Sequence, residues 1–398
     1  MSNASQVDPF ESVFAKSTAG FFLREFCFSV AKFKQPSGSE VELADFVIHL
    51  DDIFMVFQVK NRTQPTADPD AERVWFERKV RRNAKSQIGD TLKFLRDCPP
   101  EILNDRGRRV AMPRGLDPAS IIKIVVFNGS PDLPVECVQA RFYESKTSGF
   151  IHLISGADWK NALNTLVTPR EIADYLKVRE TLCRAHPLHA RSVSEKALVG
   201  QYIKEASAVE PSAHFEGVVD GLVDERDSFD VLRLMNLFGD RVTSELPAGV
   251  QMPVPNAAEA DHYAILAEIA KLPRNDLVYF KERFELGWEW AGSTRVRQAM
   301  RFEASTGVGF VFAAVPAGFE AHAVRGLNNF TRGHKYERRL TRAVGVCFIK
   351  EGDFRFIWWT LLDWPWEHDS EMDTWLREHP LSEVEPRMVP RYLIADGE

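Results

Sequence analysis

The 398-residue sequence lacks the patterns that mark membrane and secreted proteins. It contains no run of about 18 consecutive apolar residues, the length that a membrane-spanning helix needs. Its first residues, MSNASQVDPFESVF, show no basic start followed by an apolar stretch, so they do not resemble a secretion signal. We therefore expect no membrane segment and a cytoplasmic protein.

Cysteine pairs and nucleotide-binding motifs are also missing. The sequence has no CxxC pair, which argues against a disulfide framework and a structural zinc site. Its five cysteines are widely spaced, at positions 27, 98, 137, 183 and 347. No GxGxxG, Walker or GxSxG motif occurs, so nothing supports a nucleotide-driven enzyme or a serine hydrolase.

Charge is abundant but nearly balanced. Fifty basic and 57 acidic residues give a net charge of −7, which disfavours a protein that coats nucleic acid nonspecifically. The segment 73–85, RVWFERKVRRNAK, is different, because it holds six basic residues and one acidic residue. Such a segment is either a phosphate-binding patch or a solvated helix face, and the sequence leaves both interpretations open.

The length favours two domains, and the composition is that of a globular protein. Hydrophobic periodicity and turn residues predict a helix, three strands, a helix and a strand within residues 8–130. The predicted elements are a helix opening at Asp8, strands near 22–33, 43–50 and 53–60, a helix over 71–96, and a strand over 121–127. This order predicts an α/β (α+β) fold with a central mixed sheet flanked by helices.

A polar, broken stretch at 185–195 predicts a domain boundary. We expect an N-terminal domain over 1–190 and a C-terminal α+β domain over 191–398 that serves recognition or assembly. A second loose stretch at 244–256 also has the composition of a linker. The C-terminal domain is expected to contain helices over 257–271, 274–289 and 317–332 and strands over 308–315, 343–350 and 354–361.

The stretch DFVIHLDDIFMVFQVKNR (45–62) contains the most informative pattern in the chain. If Asp51 and Asp52 form a two-residue turn, residues whose numbers sum to 103 face each other, and Asp45 lies opposite Gln58. Side chains alternate along a strand, so Lys60 shares a face with Gln58. The hairpin therefore predicts an acid, an amide and a lysine close together at its open end.

This combination suits metal-dependent phosphodiester chemistry. Mg²⁺ prefers few, hard oxygen ligands, which Asp45 and Gln58 would supply. Lys60 would hold the attacking water or stabilise the charge that develops on the phosphate. The alternative is an ordinary cross-strand ion pair between Asp45 and Lys60, although such a pair does not need a polar Gln58 in an apolar strand.

The pattern Asp-x₁₂-Gln-x-Lys, behind a helix that carries Phe10-Glu11, resembles the PD-(D/E)XK nuclease superfamily. It is most similar to the restriction-endonuclease branch in which Gln replaces the second acid, and the resemblance covers about residues 8–130. It implies a restriction-endonuclease-like core, with Asp45, Gln58 and Glu11 as metal ligands and Lys60 as the catalytic lysine. Glu11 also fits a helix-capping role with Asp8. The sequence departs from the family pattern in having no Pro before Asp45 and no acid at 58.

The helix after Lys60 carries further candidates. An apolar stripe is expected to face the sheet, and it consists of Phe76, Val80, Ala84, Ile88, Leu92 and Leu95. Arg78, Arg82 and Lys85 are predicted to point away from this stripe, as phosphate contacts or as a solvated face. Gln87 lies near the stripe and is either a substrate contact or a satisfied buried amide.

Four tryptophans in FRFIWWTLLDWPWEHD (354–369) are either a stacking platform for single strands or part of the C-terminal core. The function that we expect is that of a Mg²⁺-dependent (endo)deoxyribonuclease, with Mn²⁺ as a substitute metal and DNA favoured over RNA. The resemblance implies a role in restriction or antiviral defence, in repair or in mobile elements, and does not choose among them. Double-strand cutting by one metal site per chain would require a homodimer or a partner protein. The alternatives are a nonenzymatic nucleic-acid-binding or assembly protein with a decayed nuclease fold, and an enzyme whose chemistry lies in the C-terminal half.

Overall fold

The computed structural model describes residues 13–14, 16–18, 26–29, 33–34, 40–41, 44–97, 101–104, 109–111, 117–166, 168–222, 259–295 and 298–379. These residues divide between two compact units, of which the first ends at 222 and the second begins at 259. Each unit combines helices with a mixed sheet, so the predicted α/β class is confirmed. None of the helices in these ranges is both long and apolar enough to cross a membrane.

The first unit is built on an eight-stranded sheet. The strands of this unit are β1 (Cys27–Ser29), β2 (Phe33–Lys34), β3 (Glu40–Val41), β4 (Phe46–Leu50), β5 (Ile53–Asn61), β6 (Glu101–Asn104), β7 (Arg109–Ala111), β8 (Ile122–Asn128), β9 (Phe142–Ser145) and β10 (Gly149–Ser155). β2 and β3 pair with each other, and the others follow the order β7-β6-β1-β4-β5-β8-β10-β9. β5, β8 and β10 are parallel, whereas β4 is antiparallel to β1 and β5. The sheet is therefore mixed, as predicted.

One long helical stretch, residues 69–97, covers one face of this sheet. It consists of α1 (Pro69–Trp75), a π-helical segment (Phe76–Asn83) and α2 (Ala84–Asp97). All six residues of the predicted apolar stripe are buried in one cluster with Val56, Val125 and Phe127 of the sheet. The prediction of a helix over 71–96 that packs on the sheet is confirmed.

The π-helical segment was not predicted, but the spacing of the stripe explains it. Phe76, Val80, Ala84 and Ile88 recur every four residues, and in an α-helix four residues overshoot a full turn by about 40°. A purely α-helical stretch would therefore carry the stripe steadily away from the sheet. A π-helix bonds to the fifth residue and has a longer turn, so it turns the stripe back. The stripe stays buried along the whole stretch because the two windings offset each other.

Further helices complete the first unit. They are α3 (Val135–Val138), α4 (Gly156–Thr165), α5 (Pro169–Ala185), α6 (Pro187–Ser192), α7 (Glu195–Glu205) and α8 (Glu216–Asp220). On the sheet face opposite the long helix, Trp159 meets Phe57 edge-on at 5.4 Å between ring centroids. Phe57 stacks on Phe46 at 4.3 Å, and Phe14 of the N-terminal helical residues packs against Phe46. The central strands are thus covered on both faces, which explains their continuous apolar sequence.

The first unit continues beyond the boundary after residue 190 that the sequence suggested. Arg179 of α5 is fully buried, and its guanidinium donates to both carboxylate oxygens of Glu195 in α7, at 2.7 and 3.0 Å. It also donates to the backbone oxygens of Arg141, just before β9, and of Leu153 in β10. Because a buried charge needs its partner, α7 belongs to the core of the first unit.

The second unit contains a four-stranded sheet with helices on its two faces. Its elements are α9 (Glu259–Ala270), α10 (Arg274–Trp290), β11 (Met300–Glu303), β12 (Val308–Ala314), α11 (Ala323–Glu337), β13 (Arg342–Glu351), β14 (Phe354–Asp363) and α12 (Ser370–Glu378). The strand order is β11-β12-β13-β14, with only β12 and β13 parallel. Phe280 and Phe284 of α10 contact Phe312 and Phe348 of the sheet, and Leu327 of α11 packs with Cys347.

One predicted helix of this unit was misplaced. The sequence favoured a helix over 317–332, whereas α11 covers Ala323–Glu337. Gly318 has a φ of 87°, a left-handed conformation that no α-helix tolerates, and a short 3₁₀ turn at Glu320–His322 follows it. The helix can therefore start only after this turn. The loose stretch at 244–256 lies outside the described residues.

Candidate active site

The register of the β4–β5 hairpin is the one that the sequence predicts. Phe46 pairs with Phe57 and Leu50 with Ile53, so partner numbers sum to 103, and Asp51 and Asp52 form the turn. Asp51 has a φ of 52°, the left-handed conformation that tight hairpin turns require. Position 45 is therefore the next to face position 58, at the end of the hairpin away from this turn.

The three predicted polar side chains meet at this end of the hairpin. Lys60 Nζ donates to Gln58 Oε1 at 2.9 Å and lies 3.5 Å from Asp45 Oδ2. The backbone N–H of Val59 also donates to Asp45 Oδ2, and the N–H of Asp45 donates to Phe57 O at 3.1 Å. The Asp45 side chain thus takes the place of a ladder carbonyl just before β4 begins. The predicted convergence of Asp45, Gln58 and Lys60 is what the structure has.

Burial differs among the three groups. Gln58 is 1% exposed, whereas the side chains of Asp45 and Lys60 keep 11% and 14% of their surface accessible. Burial raises the pKa of Asp45 above its usual range, although the positive charge of Lys60 and the Val59 N–H oppose this shift. Asp45 and Lys60 therefore lie at the rim of a largely apolar core, where solutes have access and electrostatic interactions are stronger than in water.

The strand end that carries Lys60 is held by a second polar cluster. Arg62 N–H donates to Asn128 O at 2.9 Å, and Asn128 Nδ2 donates to Asn61 Oδ1 at 3.1 Å. The Arg62 guanidinium binds both oxygens of Glu72, at 3.0 Å each from Nε. Glu72 is fully buried, and these hydrogen bonds lower its pKa from 4.5 to about 2. The β5 end and the first turn of α1 are therefore joined through one buried carboxylate.

Asp45 and Gln58 could supply only part of the ligand set of a Mg²⁺ ion. Asp45 and Gln58 offer one carboxylate and one amide oxygen, and Mg²⁺ commonly takes one or two carboxylates and fills its other positions with water and substrate phosphate. Glu11, the third predicted ligand, lies outside the described residues. Within the described ranges no three His, Cys, Asp or Glu side chains gather as a metal cluster. The pair Asp45 and Gln58 therefore fits a metal that is completed by its substrate.

The three predicted phosphate contacts, Arg78, Arg82 and Lys85, differ in their exposure. Arg78 and Arg82 are exposed and point away from the sheet, as expected. Lys85 does not join them, because its Nζ lies 5.6 Å from the centre of the Tyr143 ring and the residue is half-buried. In an α-helix, residues 78, 82 and 85 share one face, but the longer π-helical turn rotates Lys85 out of that row. Lys79, which the sequence reading overlooked, is exposed instead.

Gln87 is half-buried, and its side-chain oxygen has no hydrogen-bond partner among the described residues. The interpretation of a satisfied buried amide is therefore wrong for this oxygen. The described contacts do not connect Gln87 with Asp45, Gln58 or Lys60, so a substrate contact of Gln87 stays a prediction.

The tryptophans of 354–369 are partly core and partly surface. Trp358 packs on the α11 side and Trp359 stacks with Phe284 on the α10 side, whereas Trp364 is 45% exposed. The described cysteines, Cys27, Cys137, Cys183 and Cys347, are buried. Comparison of the chain with protein-family models, curated proteins and solved structures gives no match.

Proposed function

We propose that the first unit is a Mg²⁺-dependent deoxyribonuclease that hydrolyses phosphodiester bonds at the open end of the β4–β5 hairpin. The observation that carries this proposal is the meeting of a carboxylate, an amide oxygen and an ammonium group at one strand end. An ion pair needs only Asp45 and Lys60. Gln58 is a polar group in an otherwise apolar strand, and its oxygen faces the same amine.

Asp45 and Gln58 would hold the metal, and Glu11 is the third ligand that the sequence resemblance suggests. A metal held there supplies an activated water at neutral pH and positive charge beside the phosphate. Lys60 would orient that water or stabilise the developing negative charge through its Nζ. The Val59 N–H fixes one oxygen of Asp45, which leaves the other oxygen for a ligand.

The partners follow from the same proposal. The substrate would be DNA rather than RNA, Mn²⁺ would replace Mg²⁺, and the second unit would serve recognition or assembly. Restriction or antiviral defence is a setting that the sequence resemblance suggests, and we place it in the cytoplasm. Double-strand cutting by one metal site per chain would require a homodimer or a partner protein. These statements stay proposals.

The decisive experiment compares wild type with Lys60→Ala, Lys60→Arg and Asp45→Asn. Cleavage of plasmid, linear and single-stranded DNA and of RNA is measured with Mg²⁺, Mn²⁺ or EDTA. We expect Lys60→Ala and Asp45→Asn to lose at least about 100-fold in rate, since each removes a group that acts on the reacting phosphate or water. Lys60→Arg keeps the charge but not the compact amine, so it separates a catalytic role from a simple ion pair.

Equal cleavage by wild type and Lys60→Ala would contradict the role of Lys60. Lys146→Ala is the matched control, because Lys146 is exposed in the same unit and makes no described contact. Calorimetric titration with Mn²⁺ tests the metal independently of turnover, and Asp45→Asn is expected to abolish the binding heat.

A second candidate is a nonenzymatic DNA-binding or assembly protein that keeps the fold. The observations in its favour are that Lys60 already balances the charge of Asp45 and that no three His, Cys, Asp or Glu side chains of the described residues gather as a metal cluster. DNA binding without Mn²⁺ binding or cleavage, unchanged in Lys60→Ala, would favour this candidate.

A further inference from the structure

The outer face of the π-helical segment carries three cations without an acidic partner. Arg78, Lys79 and Arg82 are exposed, and none of them makes a described ion pair or hydrogen bond. The acids of this helix and its neighbour are engaged elsewhere: Glu77 binds Arg81 at 2.7 Å, and Asp70 and Glu136 both bind Arg73. The next exposed acid along the helix is Asp90, two turns further on.

The π-helical geometry keeps these three cations, which we call the row, on one side of the helix. The apolar stripe faces the sheet throughout the segment, so Arg78 and Arg82 are held on the opposite side of the helix, with Lys79 beside them. Lys85 and Arg81 lie against Tyr143 and do not extend the row. The result is a compact cationic surface on one rigid element rather than a diffuse charge on a loop.

The segment also begins near the candidate active site. Phe76 meets Phe127 edge-on at 5.2 Å, and Phe127 is the strand partner of Lys60 in the β5–β8 register. The Arg62–Glu72 contact joins the strand end to the same helical stretch. The row therefore lies on the helical stretch that is packed directly against the strand end carrying Lys60.

We propose that Arg78, Lys79 and Arg82 bind the phosphate backbone of duplex DNA and position it for the hairpin site. This proposal rests on the proposed nuclease function and names the form of its substrate. The charge complementarity favours a polyanion. Among the residues of the first unit whose burial the structure describes, no Phe, Tyr or Trp is fully exposed, and Trp75, Phe142 and Tyr143 are half-buried. Because unpaired bases stack best on open ring faces, a duplex is favoured over a single strand. Contacts of this kind read no sequence, so target choice would lie elsewhere.

The test measures the salt dependence of binding to a 30-base-pair duplex, in EDTA so that cleavage does not interfere. Each phosphate contact contributes about 0.9 to the slope of log K against log salt concentration. The variant Arg78→Gln/Lys79→Gln/Arg82→Gln should therefore lower the slope by about 2.7, and each single variant should lower it by about 0.9. The single variants also keep the proposal testable if the triple variant folds poorly.

The control variant is Lys146→Gln/Lys160→Gln/Lys204→Gln, which removes the same charge from exposed positions without described partners in the same unit. An unchanged slope in the row variant, or an equal loss in both triple variants, would overturn the proposal. If the row variant lost binding to polyglutamate but still bound the duplex like wild type, the proposal would also be overturned. That result would indicate an acidic protein partner. A larger loss on single-stranded than on duplex DNA would contradict the choice of duplex.

The two proposals fail separately. A reduced salt slope in the row variant, together with no cleavage by wild type under any condition, would support DNA binding by the row. It would contradict the nuclease function. Cleavage that depends on Lys60, together with an unchanged salt slope in the row variant, would support the nuclease function. It would contradict the proposal that Arg78, Lys79 and Arg82 bind DNA.

Discussion

Two basic segments, one in each unit, have the same charge but different surroundings. Residues 73–85 and 325–342 each hold six basic residues and one acid. In the second segment, Arg332 binds Asp369, and Arg342 binds Glu268 at 2.8 Å and Asp363 at 3.0 Å. In the first segment, Arg78, Lys79 and Arg82 make no such contact among the described residues.

Aromatic rings add to the number of partnered cations in residues 325–342. Lys335 lies 4.8 Å from the centre of the Trp364 ring, and Arg339 lies 5.2 Å from that of Trp366. Cations over indole rings are partly satisfied by the ring faces. Most of the positive charge of 325–342 is therefore used inside the second unit, whereas part of that of 73–85 remains for a partner. A count of charges along the chain does not reveal an interface, because the balancing acids come from distant positions.

The largest expected effect comes from removing the one buried acid beneath the first segment. Glu72→Ala would leave Arg62 without its carboxylate and free the start of the helix. We expect a loss of about 3 kcal/mol in the free energy of unfolding, because breaking a buried ion pair leaves an uncompensated polar group. Urea unfolding monitored by circular dichroism measures this loss.

The control for that variant is Glu77→Ala, which removes the exposed partner of Arg81 on the same helix. It should cost less than about 0.5 kcal/mol, as exposed pairs contribute little. Similar losses in the two variants would contradict the structural role of Glu72.

The acid dependence of this contact is the next effect in size. The pKa of Glu72 is lowered from 4.5 to about 2 in the folded protein, so its stabilisation is complete above about pH 4.5. It is lost as the pH falls toward 2, because the unfolded chain then binds a proton that the folded chain excludes. The difference in unfolding free energy between wild type and Glu72→Gln should therefore shrink over this range. A difference that stays constant down to pH 2 would show that the Glu72 charge is irrelevant.

The third prediction concerns a variant in which cations of residues 73–85 gain acidic partners, as those of residues 325–342 have. Asn83→Glu and Ser86→Glu place acids four residues after Lys79 and Arg82, where helical side chains meet. All basic residues are retained, but two of them gain partners. Duplex affinity at low salt should fall about tenfold, because the paired cations release fewer counterions.

The matched control for this pair of changes is Asn161→Glu/Asn164→Glu on α4, at two exposed positions. Fluorescence anisotropy with a labelled duplex measures both variants. An equal loss in the control would mean that net charge matters and that local pairing does not.

The smallest effect is expected from freeing a cation in the second segment. Asp369→Asn removes the charge that binds Arg332, but Asn still accepts from the backbone N–H groups of Glu371 and Met372, as Asp369 does. The unfolding free energy should change by less than about 1 kcal/mol. Asp369→Ala also loses the helix cap and should cost about 1 kcal/mol more. Equal losses in the two variants would indicate that the ion pair matters more than the cap.

The comparison also separates what sequence reasoning could find from what it could not. The β4–β5 hairpin was predictable in detail, because a two-residue turn and side-chain alternation leave one register that buries its apolar residues. The same register predicts that Asp45, Gln58 and Lys60 lie together at the hairpin mouth. Their proposed metal and catalytic roles, and any role of Glu11, stay predictions.

The helix that carries the basic row was predictable as an element but not in its winding. The stripe at every fourth residue was visible, and its mismatch with 3.6 residues per turn was the available signal for a π-helical segment. An α-helical projection placed Lys85 beside Arg82 and overlooked Lys79. The Arg179–Glu195 contact across the expected boundary had no local signal, since its partners are 16 residues apart on different helices.

Local sequence patterns are enough to predict the α/β class, the hairpin register and the meeting of three polar groups at the hairpin mouth. These features depend on neighbours in the chain, where covalent geometry and alternation restrict the choices. Contacts between remote segments determine which cations lack a partner among the described residues, how the long helix is wound and where the first unit ends. Those outcomes depend on packing and on charges contributed by remote segments, and each segment's own sequence leaves them undetermined.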